Sequence, residues 1–166
     1  MSIGQSMLGE LDYELANTRR TLERIPENRL EWKPDPKSMS LGALAGHITE
    51  MVGWGTMILT TDHLDMNPGD HKPLVATSAH QLTSLLDENT AKLRSTLAAT
   101  SDDDMMKNWA LKIGGNTLFD MPRVACIRSM IMNHLIHHRA QLGVYLRLND
   151  IPVPAIYGPS ADEGTF

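Results

Sequence analysis

His134 and His138 stand four residues apart in the stretch NHLIHHRAQLGVY, residues 133–145. On an α-helix that spacing puts both imidazoles on one face, one turn apart, where they can reach the same metal ion. Two nitrogens make a weak site, so a third ligand must come from elsewhere in the chain. His47, in an apolar stretch with helical periodicity, is the candidate. Three neutral imidazoles from His47, His134 and His138 would match the donor number of catalytic zinc sites, which keep a fourth position for water or substrate. An ion held in this way lowers the pKa of bound water to about 7 or keeps a bound thiol as its thiolate. Imidazole donors do not choose among zinc, nickel, copper and iron. The competing reading is structural, with the histidines satisfied by hydrogen bonds at the edge of the core, and spacing by itself leaves both readings open.

The neighbouring polar residues divide by position. His137 is about 100° round the helix from His138 and falls outside the ligand set, as a supporting or surface residue. Arg139 reads as structural, and Gln141 as a residue that orients a ligand or ties the helix to its neighbours. Cys126 lies off the histidine line and reads as a buried, inert thiol. His63, His71 and His80 fall in or near loops and at a helix start, where solvated side chains are expected. Glu50, one turn after His47, reads as facing water.

The elements that must position these residues follow from periodicity. Ile3, Met7, Leu8, Leu11, Leu15, Thr18, Leu22 and Ile25 recur at three- and four-residue steps and predict a first helix ending near Arg24. Pro26, Pro34 and Pro36 forbid regular helix up to Ser38, with Leu30 and Trp32 as anchors of the crossing loop. Ser40 caps a second helix whose buried stripe is Leu41, Leu44, Ile48, Met51 and Ile58, which places His47 on or beside the inward face. Residues 62–77 read as loop. Ser78 and Gln81 resemble a capping box opening a third helix to about Ala99 through Leu82, Leu85, Leu86, Asn89, Leu93 and Leu97. Residues 109–119, with Gly114-Gly115, suggest an irregular excursion or short hairpin. Asp120 as cap and Pro122 in the first turn then start the last helix, which ends at Leu148 before Asn149 and Pro152. The expected fold is all-α: one domain over residues 1–166, a four-helix bundle with long crossover loops.

Composition narrows the partners. The net charge of −5 and the absence of a basic run argue against nucleic acid. The longest apolar stretches break well before the roughly 20 residues a membrane span requires, so no membrane is expected. A single cysteine rules out an intramolecular disulfide, and residues near the start show no basic region followed by an apolar run, so a cytoplasmic protein is expected.

Four stretches together resemble the DinB-like superfamily of metal-binding four-helix bundles, also described as damage-inducible or YfiT-like. They are WKPDPKSMSLGALAGHI (32–48), WALKIGGNTLFDMPR (109–123), NHLIHHRAQLGVYLRLNDIPVP (133–154) and YGPSADE (157–163). The resemblance covers nearly the whole chain, and it places the family's histidine triad on His47, His134 and His138. Ala140 stands where many members have Gly before the Gln of the last motif. The resemblance further implies homodimers, a divalent ion with zinc or nickel foremost, and for some members a low-molecular-weight thiol used in transferase or isomerase chemistry on a small-molecule substrate.

Three functions follow as competitors. The first is a metal-dependent enzyme, preferably a thiol S-transferase in which the ion presents the thiolate to an electrophile, otherwise a hydrolase using metal-bound hydroxide. The second is a non-catalytic stress or binding protein stapled by a closed metal site. The third is a metal-free interaction module. No residue identifies a substrate.

Overall fold

The structure is a computed structural model that describes residues 1–67, 69–70 and 72–164; His71 lies outside the described residues. Four long helical elements carry the core. Helix α1 (Ile3–Leu22) opens with a full capping box, in which the Ser2 side chain accepts from the Gln5 N–H and the Gln5 side chain accepts from the Ser2 N–H. Helix α2 (Leu41–Thr60) starts at Ser40, whose hydroxyl accepts from the Ala43 N–H. Helix α3 (Ala79–Ala99) starts at Ser78 in the same way. Gln81 does not close the expected box there; its side chain accepts from the backbone and hydroxyl of Thr77 instead.

The last helical rod is composite. After the separate short helix α4 (Asp102–Met106) and the hairpin that follows it, the rod runs through α5 (Arg123–Cys126), a π-helical segment Ile127–Asn133, and α6 (His134–Leu148). Backbone angles at Cys126, Ile127, Asn133 and His134 are all right-handed helical, so α5 to α6 is one continuous rod. It begins at Arg123, not at the expected Asp120 cap, because residues up to Pro122 are taken into a strand.

Helix α1 packs on α3 and α6, and α2 packs on the same two helices, so α1 and α2 occupy opposite sides of the bundle. Both long connections, 23–40 and 100–122, therefore cross it, as expected for crossover topology. The anticipated stripes are the core: Leu11, Leu22, Ile48, Met51, Leu93 and Leu97 are all fully buried. In the first connection Leu30 is buried, and Trp32 packs edge-on against Tyr145 at 5.5 Å between ring centres. The Leu30 and Trp32 carbonyls accept from Gly42 and Leu41, two of the unsatisfied N–H groups at the start of α2.

All-α is only approximate, because a three-stranded sheet joins the bundle. Strands β2 (Asn108–Ile113) and β3 (Asn116–Pro122) form the hairpin suggested by Gly114-Gly115, both of which have positive φ as a two-residue primed turn requires. Strand β1 (His63–Met66) adds in parallel to β2, with His63 opposite Ala110 and Met66 opposite Ile113. It falls within the stretch expected to be loop. Four residues with one face exposed carry too little periodicity to announce a strand, and the partner that fixes them lies more than forty positions away.

Two buried guanidiniums tie these parts together. Arg123, 6% exposed, donates to the carbonyls of Ile58 and Thr61 at the end of α2, to the Asp104 carbonyl and to the Asp62 carboxylate. Arg139, 2% exposed, pairs with buried Glu14 of α1 at 2.6 Å, donates to the Glu14 carbonyl and donates to the Tyr157 hydroxyl, which itself donates to Glu14. The C-terminal segment is thereby held on its own bundle, reinforced by Glu163 with Arg20 and Arg24. The structural reading of Arg139 stands. Removing one member of such a pair leaves a buried charge without its counter-ion, so Arg139→Leu should destabilise the protein by about 3–5 kcal/mol in urea unfolding. The double change with Glu14→Leu should recover most of that loss.

Candidate metal centre

Helix α6 delivers two imidazoles and α2 the third. His134 and His138 are half-buried, one turn apart, with their Nε2 atoms 2.8 Å from each other. His47 sits across from them, its ring centre 5.3 Å from that of His134 and 4.8 Å from that of His138. One nitrogen from each of the three lies within 4.8 Å of the others, a set that could hold a metal ion. His137 is exposed and is not in the set, although its ring stands 4.8 Å from that of His138.

The hydrogen bonds decide which nitrogens face inward. His134 Nδ1 lies 3.3 Å from the Met130 carbonyl, an acceptor only, so Nδ1 carries the proton and Nε2 the lone pair. His138 Nδ1 lies 2.7 Å from the Gln141 side-chain oxygen, which fixes the same tautomer. With both Nδ1 atoms protonated, the two Nε2 lone pairs would face one another over 2.8 Å, an arrangement that a bridging cation stabilises. Burial lowers the pKa of both imidazoles, helped at His134 by His138 and at His138 by His137, while the Met130 carbonyl and Gln141 work against the shift. Two nitrogens at about 2.0–2.1 Å from a tetrahedral zinc stand roughly 3.3 Å apart, so a small opening of the pair would admit the ion.

The surroundings of the cluster were only partly legible beforehand. Gln141 orients His138, as read. Glu50 does not face water: it is half-buried, and its Oε1 accepts from the Leu74 N–H at 3.2 Å. Leu74 comes so close to α2 that a Cβ on Gly46 would meet its carbonyl oxygen at 2.7 Å, so this glycine lets the loop lie beside His47. Cys126 is buried, and desolvation together with the Asp120 carboxylate pushes its thiol up to about 11, which makes it inert as expected. His63 lies on β1 instead of in a loop, and His80 lies in the first turn of α3; both are exposed and far from any role at the cluster.

Two contributors gave no sequence signal. Trp54 packs edge-on against His47 at 5.4 Å between ring centres. The π-helical segment, a form frequent at functional sites, ends just before His134 and supplies the Met130 carbonyl beside its Nδ1. Trp54 and Met130 also line a cavity of about 440 Å³ between α2, the π segment and the sheet, walled further by Met57, Trp109 and Phe119. That volume is within the range of small-molecule sites. The cluster therefore borders a largely apolar chamber.

Comparisons with known proteins place the chain in a family. The profile of the DinB superfamily matches residues 10–142. The protein YrdA of Bacillus subtilis (strain 168), itself uncharacterized, is 26% identical over 152 residues, covering 92% of this chain and 86% of its own length. Among solved structures, a DinB-like protein from Bacillus cereus ATCC 10987 superposes with a TM-score of 0.70 at 24% identity, covering 94% of this chain and 98% of the other. A DinB-like protein from Bacillus subtilis, YjoA, gives 0.68 at 19% identity over 90% and 96%. At these identities the two structures speak for the fold.

The depressed imidazole pKa values carry a pH dependence in the metal-free protein. The unfolded chain binds these protons near the usual value of 6.5, the folded protein only at lower pH. Stability should be flat above that value and fall as pH drops below it, down to the folded-state values. Urea unfolding of metal-free protein across pH 7.5 to about 5 checks this, and His134→Gln should flatten the slope.

Proposed function

The chain belongs to the DinB superfamily, and from that membership and the histidine cluster we propose that His47, His134 and His138 hold one divalent ion, zinc or nickel, in a metal-dependent enzyme of the thiol S-transferase type. The observation that carries the metal assignment is the convergence of one nitrogen from each of the three imidazoles within 4.8 Å, with His134 Nε2 and His138 Nε2 2.8 Å apart. An ion bound there supplies Lewis acidity that holds a low-molecular-weight thiol as its thiolate.

The chain's own residues do the rest. Met130 and Gln141 hold the two α6 imidazoles in the ligating tautomer, and Trp54 packs against the third. Three protein ligands among the described residues leave a position for an exchangeable one, which favours an enzyme over a closed staple. The cavity next to the cluster is walled by indole, phenyl and thioether groups. Such a wall excludes water from the reacting atom, which favours transfer of a thiol to an apolar electrophile over hydrolysis.

Elemental analysis of protein purified without a nickel column or chelator tests the reading. Wild type should carry about one equivalent of metal, lost in both His47→Ala and His134→Ala, with the far-ultraviolet helix signal of the variants unchanged. On cobalt-substituted wild type, added N-acetylcysteine should produce a sulfur-to-metal charge-transfer band. Protein that carries no metal and takes none up on titration would overturn the proposal, and metal without the sulfur band would move it to the hydrolase.

A further inference from the structure

The chamber beside the histidines is walled by aromatic rings that arrive from three different elements, and each ring is held from outside it. Trp54 comes from α2, Trp109 from β2 and Phe119 from β3. Trp109 is 3% exposed, and its indole N–H donates to the Thr61 hydroxyl at 3.1 Å, which fixes one edge of the ring. Phe119 stands against it, with ring centres 6.0 Å apart and planes tilted by 45°. Trp54 leans edge-on on His47. Rings restrained in this way need little reordering when a ligand enters the cavity of about 440 Å³ between them.

The remaining wall is apolar and polarisable. Burial alternates along β1, so Leu64 and Met66 turn inward while Asp65 turns to the outer face, where it accepts from the Gly115 N–H and lies opposite Lys112. Met57 and Met130 add thioethers from α2 and the π segment. An alkyl body in this chamber gains what its buried area supplies. An aromatic body of the same size gains edge-to-face contact with the rings and sulfur contact with the thioethers in addition. The lining thus discriminates by ring character as well as by hydrophobicity.

We propose that this chamber is the electrophile subsite of the three-histidine centre and that it selects molecules whose body is an aromatic ring. The assignment rests on the thiol-transfer reading above and adds the substrate class to it. Trp54 and Met130 join the two sites: the Trp54 ring is both a chamber wall and the packing partner of His47, and Met130 lines the chamber while its carbonyl lies beside His134 Nδ1. A ring in the chamber therefore has room for a short reactive arm on the side of the imidazoles. A benzylic halide is the simplest such substrate. The sulfur of the low-molecular-weight thiol bonds to the benzylic carbon, the carbon–halogen bond breaks, the halide leaves with the bonding pair, and the thiol proton passes to solvent.

Two unreactive probes with one carbon skeleton, 2-phenylethanol and 2-cyclohexylethanol, separate ring character from apolar fit. The saturated probe is the more hydrophobic, so area alone predicts that it binds more tightly. The indole N–H resonances report where binding occurs, because two of the three tryptophans line the chamber. The third, Trp32, packs on Tyr145 and serves as the internal control. Titration should move the Trp54 and Trp109 signals and leave that of Trp32, with 2-phenylethanol binding about threefold more tightly than its saturated partner. Phe119→Leu removes a ring and keeps an apolar wall, and it should shrink that preference. Leu111→Trp and, from the α2 wall, Met57→Trp fill the chamber and should weaken both probes, with metal content retained; far-ultraviolet spectra and thermal melts identify whichever variant is folded.

On cobalt-loaded wild type the proton resonances of 2-phenylethanol should broaden, and the broadening should vanish in the filled variants. Equal affinities for the two probes, a preference for the saturated one, or undiminished binding in a folded filled variant would overturn the proposal. Binding that moves the Trp32 signal and leaves Trp54 and Trp109 in place would overturn it as well. Binding without broadening, in protein shown to carry about one equivalent of cobalt, would overturn the link to the histidines. A protein that takes up no cobalt would instead sink the metal reading, and the indole titrations would still decide the aromatic preference of the chamber.

Discussion

The packing of α2 against α6 is the contact on which the candidate centre depends. Each helix alone is insufficient: α6 offers two imidazoles one turn apart, α2 offers one, and only their apposition places three nitrogens within 4.8 Å. The packing is apolar, carried by residues such as Ile48, Met51, Leu135 and Leu142, all of them fully buried. Burial of this kind has no directional preference, so it brings the helices together without setting the rotation of an imidazole. Rotation is set by hydrogen bonds at the cluster's edge, from His134 to the Met130 carbonyl and from His138 to Gln141. The division is between an apolar core that supplies proximity and a few polar groups that supply direction.

The two buried arginines show how the bundle fixes its helix ends without relying on more apolar area. A guanidinium carries five donors in a rigid fork, so Arg123 can bond the carbonyls closing α2 and α4 together with the Asp62 carboxylate. Arg139 does the corresponding work between α6, α1 and the C-terminal segment, where the Glu14 carboxylate, the Glu14 carbonyl and Tyr157 share its donors. Arg139 is the residue after His138, about 100° further round the helix. Its pairing therefore also restrains the rotation of α6 about its own axis, and with it the direction in which the histidines point. By contrast, most of the exposed ion pairs, such as Lys92 with Glu88, are solvated and contribute little.

The small sheet is an addition to the bundle that converts a surface into a chamber. Without β1, β2 and β3 the π segment and the outer face of α2 near Trp54 would lack the wall that Trp109, Phe119 and Leu64 provide. The hairpin is short and would be marginal alone. It is held by the parallel strand β1, by the Trp109 indole donating to Thr61 at the end of α2, and by continuation of β3 directly into α5. Wall and ligand helix are thus joined through one chain segment, from Asn116 to Leu148.

Read by itself, the sequence determined the helical framework and picked out the three histidines that cluster. Leucine and isoleucine periodicity marked α1, α2 and α3, serine caps marked the starts of α2 and α3, and the four-residue histidine spacing marked one face of α6, because these signals are local and repeat with the helical turn. Glycine punctuation marked the hairpin for the same reason, since the positive φ of Gly114 and Gly115 is a property of the turn itself. Tertiary structure decided the rest. Strand β1 exists only through pairing with a partner distant in sequence, Asp120 gives up its expected capping role because the ladder with β2 claims it, and Glu50 turns from solvent to a loop that Gly46 admits. The approach of His47 to the α6 imidazoles and the walls of the chamber are likewise relations between segments, and a relation between distant segments leaves no period in the sequence from which it could be read.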